Sequence, residues 1–367
     1  MKQLSSLEIH YLSKEISDLK DSRIDKIYQP EKNLIYFSLY KSGQGKKILS
    51  INVGKSLFIS ESKDYGETLG FGMLLRKYLD GNFLTSIEQV NSERIVKFTF
   101  NLKDDKKHLY VEFFGKGNAI LCSSDDIIIN ALEHHEFKDR TIKPKIKYEN
   151  PSKKFDMFKL TQKELNEMLS SSKKDSIVTC LATELGLGGI YSEEACLNSK
   201  ISKNSAPKDI DEKFAAILLA SVKKLISKKI SAKAVFENGN VIDAVPFDME
   251  IYALKEKKDF ESFSSSLEFY YSQFKEVKET KQEKELKSMQ KMIEMQQAKI
   301  SEFEAEEKEL REKGELIYQK YSLVKNVMDE LNKISLKHSW KEIKEKLKGH
   351  KVIKEINEKE KKIIIEV

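Results

Sequence analysis

FGMLLRKYLDGNFLTSIEQVNSERIV, residues 71–96, is the stretch on which the reading of this chain turns. It opens as a helix carrying Leu74, Leu75, Arg76 and Lys77, which Gly81 ends. A strand follows, and after Gln89 the run Glu93-Arg94-Ile95-Val96 begins another. In a strand over 93–102, Arg94, Val96, Phe98, Phe100 and Leu102 share one face by alternation. Glu93, Lys97, Thr99 and Asn101 lie mostly on the other. Arg94 therefore heads an inward-pointing apolar row. A guanidinium there must sit at the rim of the sheet with a partner, because desolvating it alone costs several kcal/mol. Glu8 is one candidate partner; an RNA phosphate is another.

Around this stretch, residues 1–150 read as mixed α and β. Ile9, Leu12, Ile16 and Leu19 lie on one helix face, with Ser5 and Glu8 at capping-box spacing. Strands are expected at 23–29, 34–40, 47–53 and 56–60, with Gly43 and Gly45 in a turn. After a helix at 68–80 come strands at 83–90, 93–102, 108–114 and 118–123. Asp104-Asp105 marks a hairpin, and Gly115 and Gly117 another turn.

Residues 157–235 read as helical. Predicted helices at 177–184 and 191–196 flank Gly186, Gly188 and Gly189. The backbone N–H groups of such a turn can hold a phosphate; a plain glycine C-cap between packed helices is the competing reading. The helix at 211–227 places Phe214, Ile217, Leu218, Val222 and Leu225 in one core stripe. A hairpin at 232–247 turns at Asn238-Gly239. From Phe263 the spacing becomes that of a coiled coil, with Leu286, Ile293, Ile300, Leu310 and Ile317 on the seam. Then come a helix at 315–333, a segment around Trp340 and a β-like pair at 351–356 and 361–367.

Composition limits function loosely. The 367 residues imply more than one domain, and a net charge of +6 is compatible with an RNA partner without specifying one. Cys122, Cys180 and Cys196 form no CxxC pair, so neither a disulfide framework nor a zinc site is indicated. His134-His135 lacks a nearby third ligand and reads as a polar loop, and no glycine cluster matches a phosphate-loop pattern. No metal, cofactor or catalytic constellation is expected, so the chain is read as a non-enzyme. No signal core and no membrane-length apolar run is present, which makes a cytoplasmic protein without membrane contact the expectation.

With MKQLSSLEIHYL at 1–12 and RIDKIYQ at 23–29, the 71–96 stretch resembles the N-terminal domain of the NFACT family. These are ribosome-associated quality-control factors, among them bacterial RqcH, the nuclear export mediator factor of animals and archaeal relatives. TELGLGGIYSEEAC (183–196) is similar to the family's helix-hairpin-helix, and residues 312–324 and 338–367 are similar to its middle domain.

The resemblance implies an α+β multidomain fold. An NFACT-N domain, similar to the N-domain of formamidopyrimidine-DNA glycosylases, spans 1–156 and a helix-hairpin-helix domain 157–235. A hairpin and connector (236–262), a coiled-coil helix (263–312) and a middle domain (313–367) follow. The family's returning coil and C-terminal RNA-binding domain would lie beyond Val367, so a shortened member is expected.

The implied function is binding of large ribosomal subunits obstructed by peptidyl-tRNA. Recognition of tRNA and rRNA, and support for C-terminal tailing or degradation of the stalled chain, go with it. The ribosome, not the factor, forms the bonds. The family's two tRNA-related acids and one arginine match Glu8, Glu93 and Arg94, with Glu standing twice where the family usually has Asp. Arg76, Lys77, Gly186, Gly188 and Gly189 are candidate phosphate contacts.

Alternatives are a general RNA- or DNA-binding protein without tailing activity, or a coiled-coil interaction or adhesion protein whose seam self-associates. A glycosylase would need an N-terminal proline nucleophile, and no proline precedes Pro30.

Overall fold

A computed structural model describes residues 2–61, 65–103, 105–137, 140–151, 153–274, 281–348, 350, 352–357, 360 and 362–365, without the side chains of 102 and 281–288. The chain forms two compact units, Met1–Glu276 and Val277–Val367.

The first unit starts with α1 (Ser6–Glu15), whose N-terminus is closed by the expected capping box between Ser5 and Glu8. Strands β1 (Ser22–Glu31), β2 (Leu34–Lys41), β3 (Gly45–Asn52) and β4 (Ser56–Ser60) meander antiparallel. Helix α2 (Gly70–Leu79) leads to β5 (Phe83–Gln89), which returns to pair with β1. Strands β6 (Ile95–Leu102), β7 (Asp105–Glu112), β8 (Asn118–Ser123) and β9 (Ile128–Ala131) complete a nine-stranded sheet, ordered β4-β3-β2-β1-β5-β6-β7-β8-β9. Asp104, assigned to the turn between β6 and β7, lies outside the described residues.

The inner face of this sheet is apolar by alternation. Ile24, Leu39, Leu84, Val96, Phe98 and Phe100 are all buried in the main core. The expected row on β6 thus points inward. Its predicted first member, Arg94, sits in the turn before the strand, because β6 begins at Ile95.

A two-residue pair, β10 (His135–Glu136) with β11 (Thr141–Ile142), follows the sheet. Helices α3 (Gln162–Ser171), α4 (Ile177–Thr183), α5 (Gly189–Asn198) and α6 (Glu212–Ser227) form a helical layer. Leu165, Met168, Leu181, Tyr191 and Leu218 join the same core as the sheet. A single core therefore runs through the segments 1–156, 157–235 and 236–262.

Two expectations are corrected on the helices. On α6, Phe214 and Ile217 are 43% and 49% exposed, whereas Ala215, Leu218, Leu219, Val222 and Leu225 are buried. The core stripe is rotated toward Leu219 because the buried side of α6 is set by α5 and α3, not by its own periodicity alone. The predicted continuous coil from Phe263 is interrupted. Helix α7 (Phe263–Ser272) ends after ten residues and buries Phe263, Leu267 and Tyr270 against the first unit.

Before α7, β12 (Lys233–Glu237), β13 (Asn240–Val245) and β14 (Glu256–Asp259) make a small sheet ordered β13-β12-β14. Its hairpin turns at Asn238 and Gly239 with φ of 52° and 77°, the backbone that an Asn-Gly pair accepts most readily.

The second unit holds α8 (Lys281–Gln319), α9 (Tyr321–Ser335), α10 (Trp340–Lys346) and the antiparallel pair β15 (Ile353–Asn357) and β16 (Lys362–Ile365). Ile343, Ile353 and Ile356 form its small core, with Val327, Leu331 and Trp340 packed against it. Every described side chain of α8 is exposed, including Ile293, Ile300, Leu310 and Ile317; the side chain of Leu286 lies outside the described residues.

Candidate functional site

The N-terminal segment, the turn before β6, the α4–α5 turn and β13 meet around a cavity of about 1180 Å³ in the first unit. Glu8, Glu93, Arg94, Gly186, Gly188 and Gly189 all line it, so the structure brings together six of the eight candidate residues from distant parts of the chain.

Glu8 is 1% exposed and fully engaged. Its Oε1 lies 2.5 Å from Lys2 Nζ and accepts from Tyr191 Oη at 2.9 Å. Its Oε2 accepts the backbone N–H of Ser5 at 2.7 Å. Lys2 Nζ also lies 2.5 Å from Asp243 Oδ1, and Tyr252 Oη donates to Asp243 Oδ2 at 2.8 Å. Burial opposes the charge on Lys2, but Asp243 and Glu8 outweigh it and raise the ammonium well above the ordinary lysine range. Lys2 is therefore a cation, not a nucleophile. The Tyr191 phenol is likewise pushed far up, by burial first and by Glu8 and Asp243 second. This network ties α1, α5 and β13 together.

Arg94 is not the partner of Glu8, which corrects one expectation: Lys2 occupies that place. The Arg94 guanidinium donates to no side chain or carbonyl among the described residues while it lines the cavity. Burial lowers its pKa, and the neighbouring Glu93 carboxylate works in the opposite direction. A half-buried, unpaired guanidinium at a cavity wall is available to an anion.

The turn carrying Glu93 and Arg94 is held from both sides. Gln89 Nε2 donates to Glu93 O at 2.8 Å and to Ser6 O at 2.9 Å. Lys153 Nζ donates to Ser92 O at 2.7 Å and stands 3.8 Å from Glu93 Oε1. Burial pulls the Lys153 pKa down against the pull of Glu93.

Lys153 also abuts the glycine turn. A Cβ on Gly186 (φ +76°) would lie 2.7 Å from Lys153 Nζ, and one on Gly188 (φ +90°) 2.7 Å from Ser5 Cβ. Both positions favour glycine for backbone conformation, and Gly188 also for space, since the Lys153 ammonium can swing away from a methyl at 186. Gly188 is the N-cap of α5 and supplies no side-chain acceptor, and the first residues of α5, Gly189 to Tyr191, line the cavity. The helix begins at Gly189, two residues earlier than its apolar spacing suggests.

Arg76 and Lys77 lie elsewhere. Arg76 Nε donates to Ile27 O at 2.5 Å and Nη2 to Thr68 Oγ1 at 2.7 Å, with the guanidinium 5.4 Å from the Tyr28 ring centre. Lys77 is exposed on α2. Lys2, Lys153, Tyr191 and Asp243 were missed by sequence reasoning. Lys2 and Asp243 are 241 positions apart, and no local pattern announces such a pair. Among the described residues no three His, Cys, Asp or Glu side chains converge as a metal site, and no helix is long and apolar enough to cross a membrane.

The fold and the cavity define a sheet-and-helix protein with an acid–arginine turn set against a glycine hairpin. A sequence profile of the NFACT N-terminal and middle domains matches residues 5–363, and the chain belongs to the NFACT family.

It is 27% identical over 391 aligned positions to the archaeal Rqc2 homologue aRqcH of Methanocaldococcus jannaschii, covering 99% of this chain and 58% of that protein. It is 26% identical over 280 positions to the Rqc2 homologue RqcH of Streptococcus suis, covering 72% and 47% respectively. The chain thus spans about half the length of the curated relatives it matches. The N-terminal structure of a fibronectin/fibrinogen-binding protein from Streptococcus suis superposes with a TM-score of 0.60 at 24% identity, over 74% of this chain and 99% of that one. That likeness concerns the fold.

Proposed function

We propose that this chain acts in ribosome-associated quality control, binding large ribosomal subunits that carry stranded peptidyl-tRNA. Its relatives are named as Rqc2 homologues. The observation that carries the reading is the unpaired Arg94 guanidinium in the cavity, opposite the uncapped start of α5. Together they offer one fixed cation and several N–H donors to a phosphodiester. The α4–α5 unit acts here as the helix-hairpin-helix, and Glu93, beside Lys153, adds a negative charge next to Arg94. Glu8 works indirectly, by holding the Lys2–Tyr191–Asp243 network rather than by touching RNA. The factor performs no covalent chemistry; it recognises tRNA and rRNA in the cytoplasm, and the ribosome elongates any tail.

Cosedimentation with large subunits, vacant or loaded with peptidyl-tRNA, tests this across a salt series. Selective pelleting with loaded subunits, reduced at least about tenfold by Arg94→Ala, is expected from loss of a charge-assisted phosphate contact. Equal pelleting of the two proteins with both kinds of subunit would overturn it.

For α8 we propose a partner helix. Ile293, Ile300, Leu310 and Ile317 recur at coiled-coil spacing and are exposed, so the seam pairs either with a second copy or with another helix. Light scattering of the wild type against Ile293→Glu/Ile300→Glu separates the two: a dimer that dissociates marks self-association.

A further inference from the structure

The outer face of the large sheet falls into two halves. Over β6–β9 it is covered by a second small core, in which Ile95, Tyr110 and Ile120 pack with Ile142 and Tyr148. Over β2 and β3 most of it is also buried, at Tyr36, Ser38, Ile48 and Ser50, but one cross-strand row at the end of β3, β2, β1 and β5 is exposed. Directly opposed residues run Lys46–Tyr40–Arg23–Phe83, then Asn101 and Lys106 on β6 and β7. Directly opposed residues of antiparallel strands share a face, with Cβ atoms about 5 Å apart. The neighbours Ile24, Leu39 and Leu84 take the buried side, which fixes the direction of the row.

Tyr40 is 54% and Phe83 47% exposed, and neither ring contacts another ring or a cation among the described residues. Arg23 stands between them, exposed and without a hydrogen bond or ion pair among the described residues. Lys46 and Lys106 flank the aromatics, and no position of the row is acidic. Beside the row, a depression of about 480 Å³ is lined by Tyr40, Arg23, Asp25 and Asp80. Asp25 is already engaged by Lys46 at 3.1 Å and Ser38 at 3.0 Å, which leaves the Asp80 carboxylate as the free acceptor there among the described residues.

We propose that this row is a second RNA-binding surface, separate from the cavity, which takes unpaired nucleotides by stacking bases on Tyr40 and Phe83 while Arg23 and Lys106 hold the backbone. Exposed rings on two strands of an antiparallel sheet, with a cation on the strand between them, present flat π-faces to bases that have left a helix. A duplex keeps its bases stacked inside and cannot use the rings. The cation pattern favours a polyanion over an apolar protein segment as occupant. Asp80 can accept a hydrogen bond from the amino group of a base seated in the depression.

Fluorescence anisotropy of the full chain with a fluorescein-labelled, unstructured 12-nucleotide RNA tests this. Tyr40→Ala and Phe83→Ala are each expected to weaken binding about tenfold, and Phe83→Trp to preserve it, as stacking on a single base predicts. Arg23→Ala should flatten the salt dependence. An unlabelled duplex of equal length should compete poorly. All three positions are exposed, so the variants are expected to fold, which their circular dichroism and melting check. Unchanged RNA affinity in both aromatic variants would overturn the proposal. So would loss of a dimer in those variants at unchanged RNA affinity, which would mark the row as a protein interface. Repeating the series in an Arg94→Ala background removes the cavity's own phosphate contact, so failure here and failure of the cavity reading are separately visible.

Discussion

Glu8 is a buried carboxylate held entirely by its own chain. Its two oxygens are spent on Lys2, Tyr191 and the N–H of Ser5. Removing its charge leaves the buried Lys2 ammonium with Asp243 alone. Glu8→Gln should therefore cost about 3 kcal/mol, the scale for breaking a buried ion pair, and lower the melting temperature of the first unit. A melt unchanged within a degree would mean that Asp243 suffices.

His10 gives a pH signature of its own. Its ring stacks on Phe158 at 4.5 Å, and burial, followed by the nearby Lys14 charge, lowers its pKa to about 4. The unfolded chain, with a His pKa of about 6.5, takes the proton first as pH falls. Stability should thus decline from about pH 6.5 toward pH 4. His10→Leu should flatten melting temperature against pH between 7 and 5, and parallel curves for the two proteins would remove His10 from the account.

The α4–α5 turn makes a contrast between two adjacent glycines. At Gly188 the backbone is left-handed and a methyl would meet Ser5; at Gly189 φ is helical and no atom lies within 4 Å of the added carbon. Gly188→Ala should destabilise by roughly 1–3 kcal/mol, whereas Gly189→Ala should be neutral or slightly stabilising. Equal effects in chemical denaturation would contradict the turn geometry.

The strands were legible because alternation is a local property: β1–β8 lie within a few residues of where apolar periodicity puts them. The stripe on α6 was not, since Phe214 and Ile217 satisfy helical spacing yet face outward. Periodicity finds an apolar face but cannot say how wide the neighbouring helices make its cover. The break between α7 and α8 was hidden for the same reason, because core burial and a coil seam share the same spacing.

Across the molecule, the buried cores divide with the two units: the sheet and helical layer share one large core and a smaller satellite, and α9, α10, β15 and β16 have their own. A fragment of residues 1–274 should fold alone and retain the Arg94-dependent and Phe83-dependent binding. A fragment that fails to melt cooperatively would show that the second unit is needed for stability.

The family, the strand positions of the N-terminal meander and the Asn238-Gly239 hairpin could be reached from residues alone, and Glu8, Glu93 and Arg94 could be singled out as candidates. Each rests on neighbours in the chain or on a continuous motif. The pairing of Lys2 with Glu8 and Asp243, the freedom of Arg94, the support of Lys153 and the row Tyr40–Arg23–Phe83 could not. They depend on strands and loops brought together across separations of 17 to 241 positions, and on which charges find partners when they arrive. Periodicity encodes burial along an element, whereas electrostatic partnership is settled by the packing of elements against one another.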